Sequence, residues 1–486
     1  MHRKVDFICI FAAGTYRFCI QLCCCAGDHT ILYRAPIYNT PKDRYVDAAV
    51  HLSLRYPNNM SRTQRFTMLA VVAASVLVLS LATFAQAPGQ INADLSHAHK
   101  KYMALAPRGH HGTGSVKNGA AQAFNTISGI DSLMNFTGDF HKAGFDPNGN
   151  PQSFWIWDMV GNPPERGGVT TIEAPIVPVE VDLLDEHGEV RVVDHHPLIS
   201  DPSIYIKRVL NSPVFRKTNY SSSDVPTQIS DAVQRAEFFN RMKQDWHTLL
   251  KPEVKAKRVM RVPAGQYFYA PNPDGSCCAF ILVDINTFVN LLFPAVPTDT
   301  TTPIGAAENA GDITTKDLST FLFPNTYLFF NGDPNQCCVL GFHSYDFEPG
   351  DASNGNRERR YVVNYSSWIS EGLFGGGFQD ITALSHEVAE TYDDPFVGTG
   401  GYGITPWWQA PNGNCQDDLE TGDVIEGLPN GVFPVKLGGF LYHPQNEALL
   451  QWFEFQSPSS ALGGAYSYPD MTTLTALSAP QKAGCQ

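Results

Sequence analysis

The chain is short of positive charge, and of charge altogether. Lysine and arginine number 34 against 48 aspartates and glutamates in 486 residues, for a formal charge of −14. No basic cluster stands out, so nucleic acid is not an expected partner. There is no internal repeat and no glycine-rich loop that would cradle a phosphate. The G-x-S-x-G context of a nucleophile elbow is also missing, so Ser385 beside His386 is not read as a nucleophile. Charged residues make up 17% and hydrophobic ones 43%, a balance that excludes a disordered chain and fits a folded one. The length suffices for one large core or two ordinary domains.

Cysteine is unevenly spread. Five of the eleven (Cys9, Cys19, Cys23, Cys24 and Cys25) fall in the first 59 residues, where no helical or strand periodicity can be followed. Met60 then opens S-R-T-Q-R-F, followed by T-M-L-A-V-V-A-A-S-V-L-V-L-S-L-A-T-F-A. That is the basic n-region and apolar h-region of a secretory signal peptide. Such a signal is read at or near an N-terminus, so translation is expected to start at Met60. Residues 1–59 are then an over-extended start that the mature protein lacks. The rival reading is a single-pass anchor, because the apolar run is nearly long enough to span a bilayer. The signal is expected over 60–87, with cleavage after Ala85 rather than after Ala87, where Pro88 would block the peptidase. The first 59 residues carry seven Lys/Arg and four Asp/Glu, and residues 60–85 add two arginines, so their removal takes the charge from −14 to −19.

The exported part keeps Cys277, Cys278, Cys337, Cys338, Cys415 and Cys485, an even count that favours disulfides. The C-x-x-C spacing of a zinc site is missing from this set. Adjacent cysteines are expected to be too close to pair with each other. Cys277 or Cys278 should therefore join Cys337 or Cys338 across neighbouring strands.

Residues 88–134 read as a flexible polar leader holding His97, His99, His110 and His111, and residues 135–486 as a single α+β domain. Ala174–Leu183 and Glu189–Val193 suggest a hairpin turned at E-H-G-E, with His195 and His196 on the surface beyond it. Thr227–Leu250 carries the longest helical pattern, Ile229, Val233, Ala236, Phe239, Met242, Trp246 and Leu249 recurring at three and four. Strand-like runs follow at Val259–Val262, Gln266–Tyr269, Ala279–Val283, Thr326–Phe330, Cys338–Ser344 and Arg360–Tyr365, with Asn331-Gly332 as a turn. The expected fold is a mixed sheet backing one polar-faced helix, with a loop-rich C-terminal part.

That helix is D-I-T-A-L-S-H-E-V-A-E-T-Y-D-D-P, Asp380 to Pro395. Ile381, Leu384, Val388 and Tyr392 form its apolar stripe, Asp380 can cap it, and Asp394-Pro395 stops it. His386 and Glu390 sit four apart and stack on one face, with Glu387 beside them and Asp393 or Asp394 continuing the face. A histidine and two carboxylates so placed are the ligand-and-base set of a zincin-like hydrolase, in the form H-E-x-x-E. The extra oxygen also suits calcium or manganese. The plainer alternative is an amphipathic helix whose exposed face carries these residues. After the helix, N-G-N-C-Q-D-D-L-E-T-G-D gathers Asp417, Asp418, Glu420 and Asp423, either the missing ligands or a solvated acidic turn.

C-V-L-G-F-H (Cys338–His343), A-L-S-H-E-V-A-E-T-Y-D-D-P (Ala383–Pro395) and L-E-T-G-D (Leu419–Asp423), with Gln445 and Trp452 after them, resemble the phosphate-induced, Exordium-like family of secreted proteins, in particular its bacterial relatives. S-P-V-F (Ser212–Phe215) and T-Q-I-S-D-A-V-Q-R-A-E-F (Thr227–Phe238) are similar to those relatives as well. The resemblance implies export to the cell surface or wall and one main domain, and supplies no reaction. Cys415 precedes the acidic cluster, whereas the family has a cysteine after it.

The function expected from these residues is a secreted metal-dependent hydrolase, most simply a peptidase. His386 and Glu390 would hold a divalent metal, zinc first and calcium as the alternative, with Glu420 or Asp423 completing the site. Glu387 would take the proton from the attacking water. His343 would polarise the substrate carbonyl, unless it is a satisfied core histidine. Peptide or cell-wall polymer is the expected partner, with membrane contact only through an uncleaved signal. The rival is a non-catalytic envelope protein with a structural ion. A third reading, a wall-polysaccharide binder, rests on Trp407 and Trp408.

Overall fold

A computed structural model describes residues 6–11, 17–25, 28–36, 45–50, 89–91, 95, 133–145, 149–220, 225–349, 356–375, 377–397, 405–416 and 418–477. The chain divides into two compact units, Met1–Ala85 and Gln86–Gln486. In the first, β1 (Asp6–Phe11), β2 (Arg17–Cys25), β3 (Asp28–Pro36) and β4 (Tyr45–Val50) form an antiparallel sheet in that order. These strands escape a sequence reading because R-F-C-I-Q-L-C-C-C is apolar almost throughout and lacks a period of two. Residues 60–87 and the four leader histidines lie outside the described residues. Among the described residues no helix is long and apolar enough to cross a membrane.

The second unit opens with a hairpin of β5 (Asn135–Phe145) and β6 (Pro151–Val160). The long β7 (Val169–Leu183) follows, then the short β8 (Val192–Val193), β9 (His196–Pro197) and β10 (Ile199–Ser200). The turn at Asp185–Gly188 and the exposure of His195 and His196 are as expected, but the hairpin is only a single bridge from Leu184 to Val190, because β8 pairs with β9 instead of β7. Helices α1 (Ile206–Leu210) and α2 (Ile229–Glu237) precede β11 (His247–Val254), β12 (Arg258–Val262), β13 (Tyr267–Ala270) and β14 (Phe280–Asp284). Next come α3 (Ile285–Leu292), α4 (Pro303–Ala310), β15 (Leu318–Pro324), β16 (Thr326–Phe330), β17 (Asp333–Val339), β18 (Gly341–Glu348) and β19 (Arg359–Trp368). Helix α5 (Thr382–Asp393) then leads into a loop-rich remainder.

The main sheet has seven strands in the order β10-β7-β15-β19-β18, with β11 and β12 both parallel to β7, along Val169–Ile176 and Val179–Leu183. β15 is parallel to β7 and β19, whereas β10 and β18 are antiparallel to their neighbours, so the sheet is mixed. Alternation along each strand sorts side chains to two faces. Ile172, Ala174, Ile176, Leu318, Leu322, Tyr345 and Val362 join Leu384 and Val388 of α5 and Val233 of α2 in one core. Val177, Val179, Phe321, Phe342, Val363 and Tyr365 pack with Phe288 of α3 and Ile304 of α4 in the other. Helices therefore cover both faces of the sheet.

Several expectations need correcting. The run expected at Cys338–Ser344 breaks at Leu340, between β17 of one sheet and β18 of another. The helix expected over Thr227–Leu250 ends at Glu237, with Phe238 as its C-cap, and His247–Val254 is a strand. The three-and-four spacing past Phe239 is accidental; pairing with β7 takes T-L-L into the sheet, and Phe239 itself is exposed. Asp380 does not cap α5. Ile381 holds that position, and the Asp380 carboxylate accepts from the Ile381 and His443 backbone amides (2.6 and 3.0 Å) and meets His443 Nδ1 at 2.7 Å. The cysteine pairs are not joined to each other. In the sheet β13-β14-β16-β17, β16 separates the strands next to the two pairs, and each pair is bonded within itself. Both pairs have a cis peptide and a Cα–Cα distance of 3.0 Å. Cys415 is disulfide-bonded too.

Candidate metal centre

Helix α5 runs between the sheet and the C-terminal loops, and every one of its residues is buried. This excludes the plainer alternative of an amphipathic helix with a polar face in solvent. The stripe of Ile381, Leu384, Val388 and Tyr392 goes into the core as expected, and the helix ends before Asp394-Pro395. Its His-Glu face meets β18 on one side and the 418–426 segment on the other.

Six side chains converge there: His343 from β18, His386, Glu387 and Glu390 from α5, and Glu420 and Asp423 from the loop. None is more than 2% exposed. His386 Nε2 lies 3.1 Å from Glu390 Oε2, 3.7 Å from Asp423 Oδ1 and 3.8 Å from Glu387 Oε1. His343 Nδ1 lies 3.3 Å from the same Glu390 Oε2 and 3.8 Å from Glu387 Oε2. Donor atoms of His343, Glu390 and Glu420 fall within 4.8 Å of one another, as do those of His386, Glu387 and Glu390. Two ligands bound tetrahedrally at about 2.1 Å would stand about 3.4 Å apart, in the middle of these separations. Of the site residues expected from the sequence, His343, His386, Glu387, Glu390 and Glu420 supply these groups, and Asp423 lies beside His386 but outside both. Asp393 and Asp394 are buried beside it but outside both donor groups, and Asp417 lies outside the described residues.

The local folding that builds the site depends on two glycines. A Cβ at Gly341 would stand 2.4 Å from Glu387 Oε1, and one at Gly422 would stand 2.2 Å from His386 Nδ1. Only glycine lets β18 and the loop approach the helix this closely. The loop is then fastened: the Gly422 and Asp423 amides donate to Glu390 Oε1 (3.1 and 3.3 Å), and Gln445 Nε2 donates to the Gly422 carbonyl (2.6 Å). Gln416 Nε2 donates to Asp423 Oδ2. Ser385 Oγ accepts from the Gln445 amide at 2.8 Å, pinning the following segment to α5.

The electrostatics are compatible with a metal site. The side-chain oxygens of Glu387 and Glu420 and both ring nitrogens of His343 are buried without a hydrogen-bond partner, which is costly unless something else binds them. Burial, followed by the charges of Glu390, Asp423 and Glu447, pushes the Glu387 carboxyl well above its usual range. Burial and then Glu390 and Asp423 do the same to Glu420. Burial also acts to raise Glu390, but the imidazoles of His386 and His343 outweigh it and hold this carboxyl below the usual range. The residues present could hold a metal ion.

No family model, curated protein or solved structure matches the chain. Three separate stretches of the chain meet here: the strand brings Gly341 and His343, the helix His386, Glu387 and Glu390, and the loop Glu420, Gly422 and Asp423.

Some site features escape the sequence. His343, expected to polarise a carbonyl or to be a satisfied core residue, is fully buried and faces Glu390 Oε2 at 3.3 Å. Glu447, fully buried with both oxygens unpartnered, lies within electrostatic reach of Glu390 and Asp423; nothing in P-Q-N-E-A-L-L signals it. Trp408 is fully buried against Trp452 and Phe453, with centroids at 5.4 and 5.7 Å, so it offers no platform to a polysaccharide.

Proposed function

We propose that the protein binds a divalent metal at this centre, and that the metal serves first to tie α5 to β18 and to the 418–426 segment. The observation that carries this is the donor set, two imidazoles and four carboxylates at most 2% exposed. Structural metal sites are filled by protein ligands, whereas catalytic ones keep a position open; six protein donors, enough to fill a shell without water, support the structural version. Two imidazoles favour an ion of the zinc or iron class over calcium, which takes oxygen donors. The signal-like stretch after Met60 and the family resemblance support export to the cell surface or envelope.

A zincin-like hydrolase acting on a peptide or wall polymer is the second reading, and Glu387 favours it. Its carboxyl faces both imidazoles without a hydrogen bond, where a base for an attacking water would stand. Elemental analysis of tag-free protein expressed from Met60 onward tests the centre. At least one divalent ion per chain is expected, with His386→Ala and Glu420→Gln each lowering metal content and Tm. A metal-free protein whose Tm ignores chelator refutes it. Glu387→Gln separates the two versions: retained metal with lost hydrolysis supports the hydrolase, and lost metal makes Glu387 a ligand.

A further inference from the structure

We propose that the centre holds two divalent cations, bridged by Glu387 and Glu390. This rests on the metal-centre reading above and goes beyond it in stoichiometry and in the role of Glu387. The donors divide into two sets, His343/Glu390/Glu420 and His386/Glu387/Glu390, each with ligand atoms within 4.8 Å, and the sets share Glu390. Glu387 spans them: its Oε2 is 3.8 Å from His343 Nδ1, and its Oε1 is 3.8 Å from His386 Nε2. Glu390 Oε2 lies between the same two nitrogens, 3.3 and 3.1 Å away. One ion then has His343, Glu420, Glu390 and Glu387 Oε2. The other has His386, Asp423 Oδ1, Glu390 and Glu387 Oε1, with Asp423 Oδ1 3.7 Å from His386 Nε2. A carboxylate bridging through both oxygens suits ions about 3.5–4 Å apart, the usual spacing of two-metal sites.

Charge points the same way. Glu387, Glu390, Glu420 and Asp423 are four carboxylates with no more than 2% exposure. Among the described residues no lysine or arginine pairs with Glu387, Glu390 or Glu420. Cations here would compensate buried carboxylates that no basic side chain reaches, and two of them would engage all four.

The test uses the full chain without a histidine tag, stripped by chelator and reloaded with Mn²⁺. Bound manganese per chain is counted by mass spectrometry, and the loaded protein is examined by electron paramagnetic resonance. Two ions per chain and an exchange-coupled multiline spectrum are expected. One ion with the spectrum of an isolated Mn²⁺ overturns the pair while leaving the metal centre standing, and no bound ion overturns both. Glu420→Gln should halve the stoichiometry and abolish the coupling; a folded variant that still binds two coupled ions also overturns the assignment. The wild-type count and spectrum stand whether or not that variant folds.

Discussion

Gly422→Ala puts the geometry of the centre to its sharpest test. The added methyl would stand 2.2 Å from His386 Nδ1, 2.5 Å from Cε1 and 2.7 Å from Cγ, whereas ordinary contact begins near 3.4 Å. Ring or loop must therefore move by about 1.2 Å, more than the roughly 0.5 Å within which a metal constellation has to be held. Neither can move freely. The Gly422 amide donates to Glu390 Oε1 at 3.1 Å, its carbonyl accepts from Gln445 at 2.6 Å, and the ring is 3.1 Å from Glu390. Overpacking of this kind destabilises the metal-free protein by about 1–3 kcal/mol. Displacing a ligand through its support lowers metal affinity by about 10- to 100-fold. Competition against a chromophoric chelator reads the affinity, and melting curves with and without metal read the stability. Gly341→Ala, whose methyl would meet Glu387 Oε1 at 2.4 Å, should behave alike from the opposite side. Wild-type affinity in Gly422→Ala would refute the placement of the loop against His386.

Three further outcomes are expected. Asp231 of α2 is fully buried, accepts from Thr227 Oγ1 and the Thr248 amide (both 2.6 Å), and meets His247 Nδ1 at 2.7 Å; Asp231→Ala should lose about 3 kcal/mol in urea unfolding, and a loss below about 1 kcal/mol would show that this clamp of α2 to β11 does not hold. Burial pushes Asp346 of β18 up to about 7, with Glu308 of α4 and Glu348 beside it. The folded state thus keeps a proton that the unfolded chain releases near pH 4. Stability from this group falls as pH rises from about 4 to about 7, by at most about 4 kcal/mol; Asp346→Asn should flatten that part of the Tm–pH curve, and an unchanged slope counts against it. Intact-mass analysis of the exported product should find an N-terminus at Gln86 or Pro88, and a product beginning in the Cys-rich segment would overturn the signal reading.

How much could be read in advance varied with the range of the interaction. The Asn331-Gly332 turn joins β16 to β17 with φ of 57° and 69°, the two left-handed positions that this dipeptide supplies. Thr326–Phe330 is a strand with the bounds its composition suggests. Past Glu237 the same method fails, because partnership with β7 outweighs a helical spacing that continues through Trp246 and Leu249. The cysteine pairing fails for a similar reason: which strand separates two others is a property of sheet order, and no local pattern encodes it.

By itself the sequence determined the elements of the centre: a helix that stacks His386 over Glu390, its stop at Asp394-Pro395, and a carboxylate-bearing loop punctuated by glycine. These follow from periodicity and backbone preference, which act within a few residues. Only the tertiary structure decided that β18 lies beside α5, so that His343 faces Glu390. It also decided that Gly341 and Gly422 make the approach possible, that Glu447 is buried nearby, and that the helix has no solvent face. Those outcomes depend on packing a mixed sheet, a helix and a loop against one another. Packing brings together residues far apart in the chain, and nothing local to any of them records the distance at which they meet.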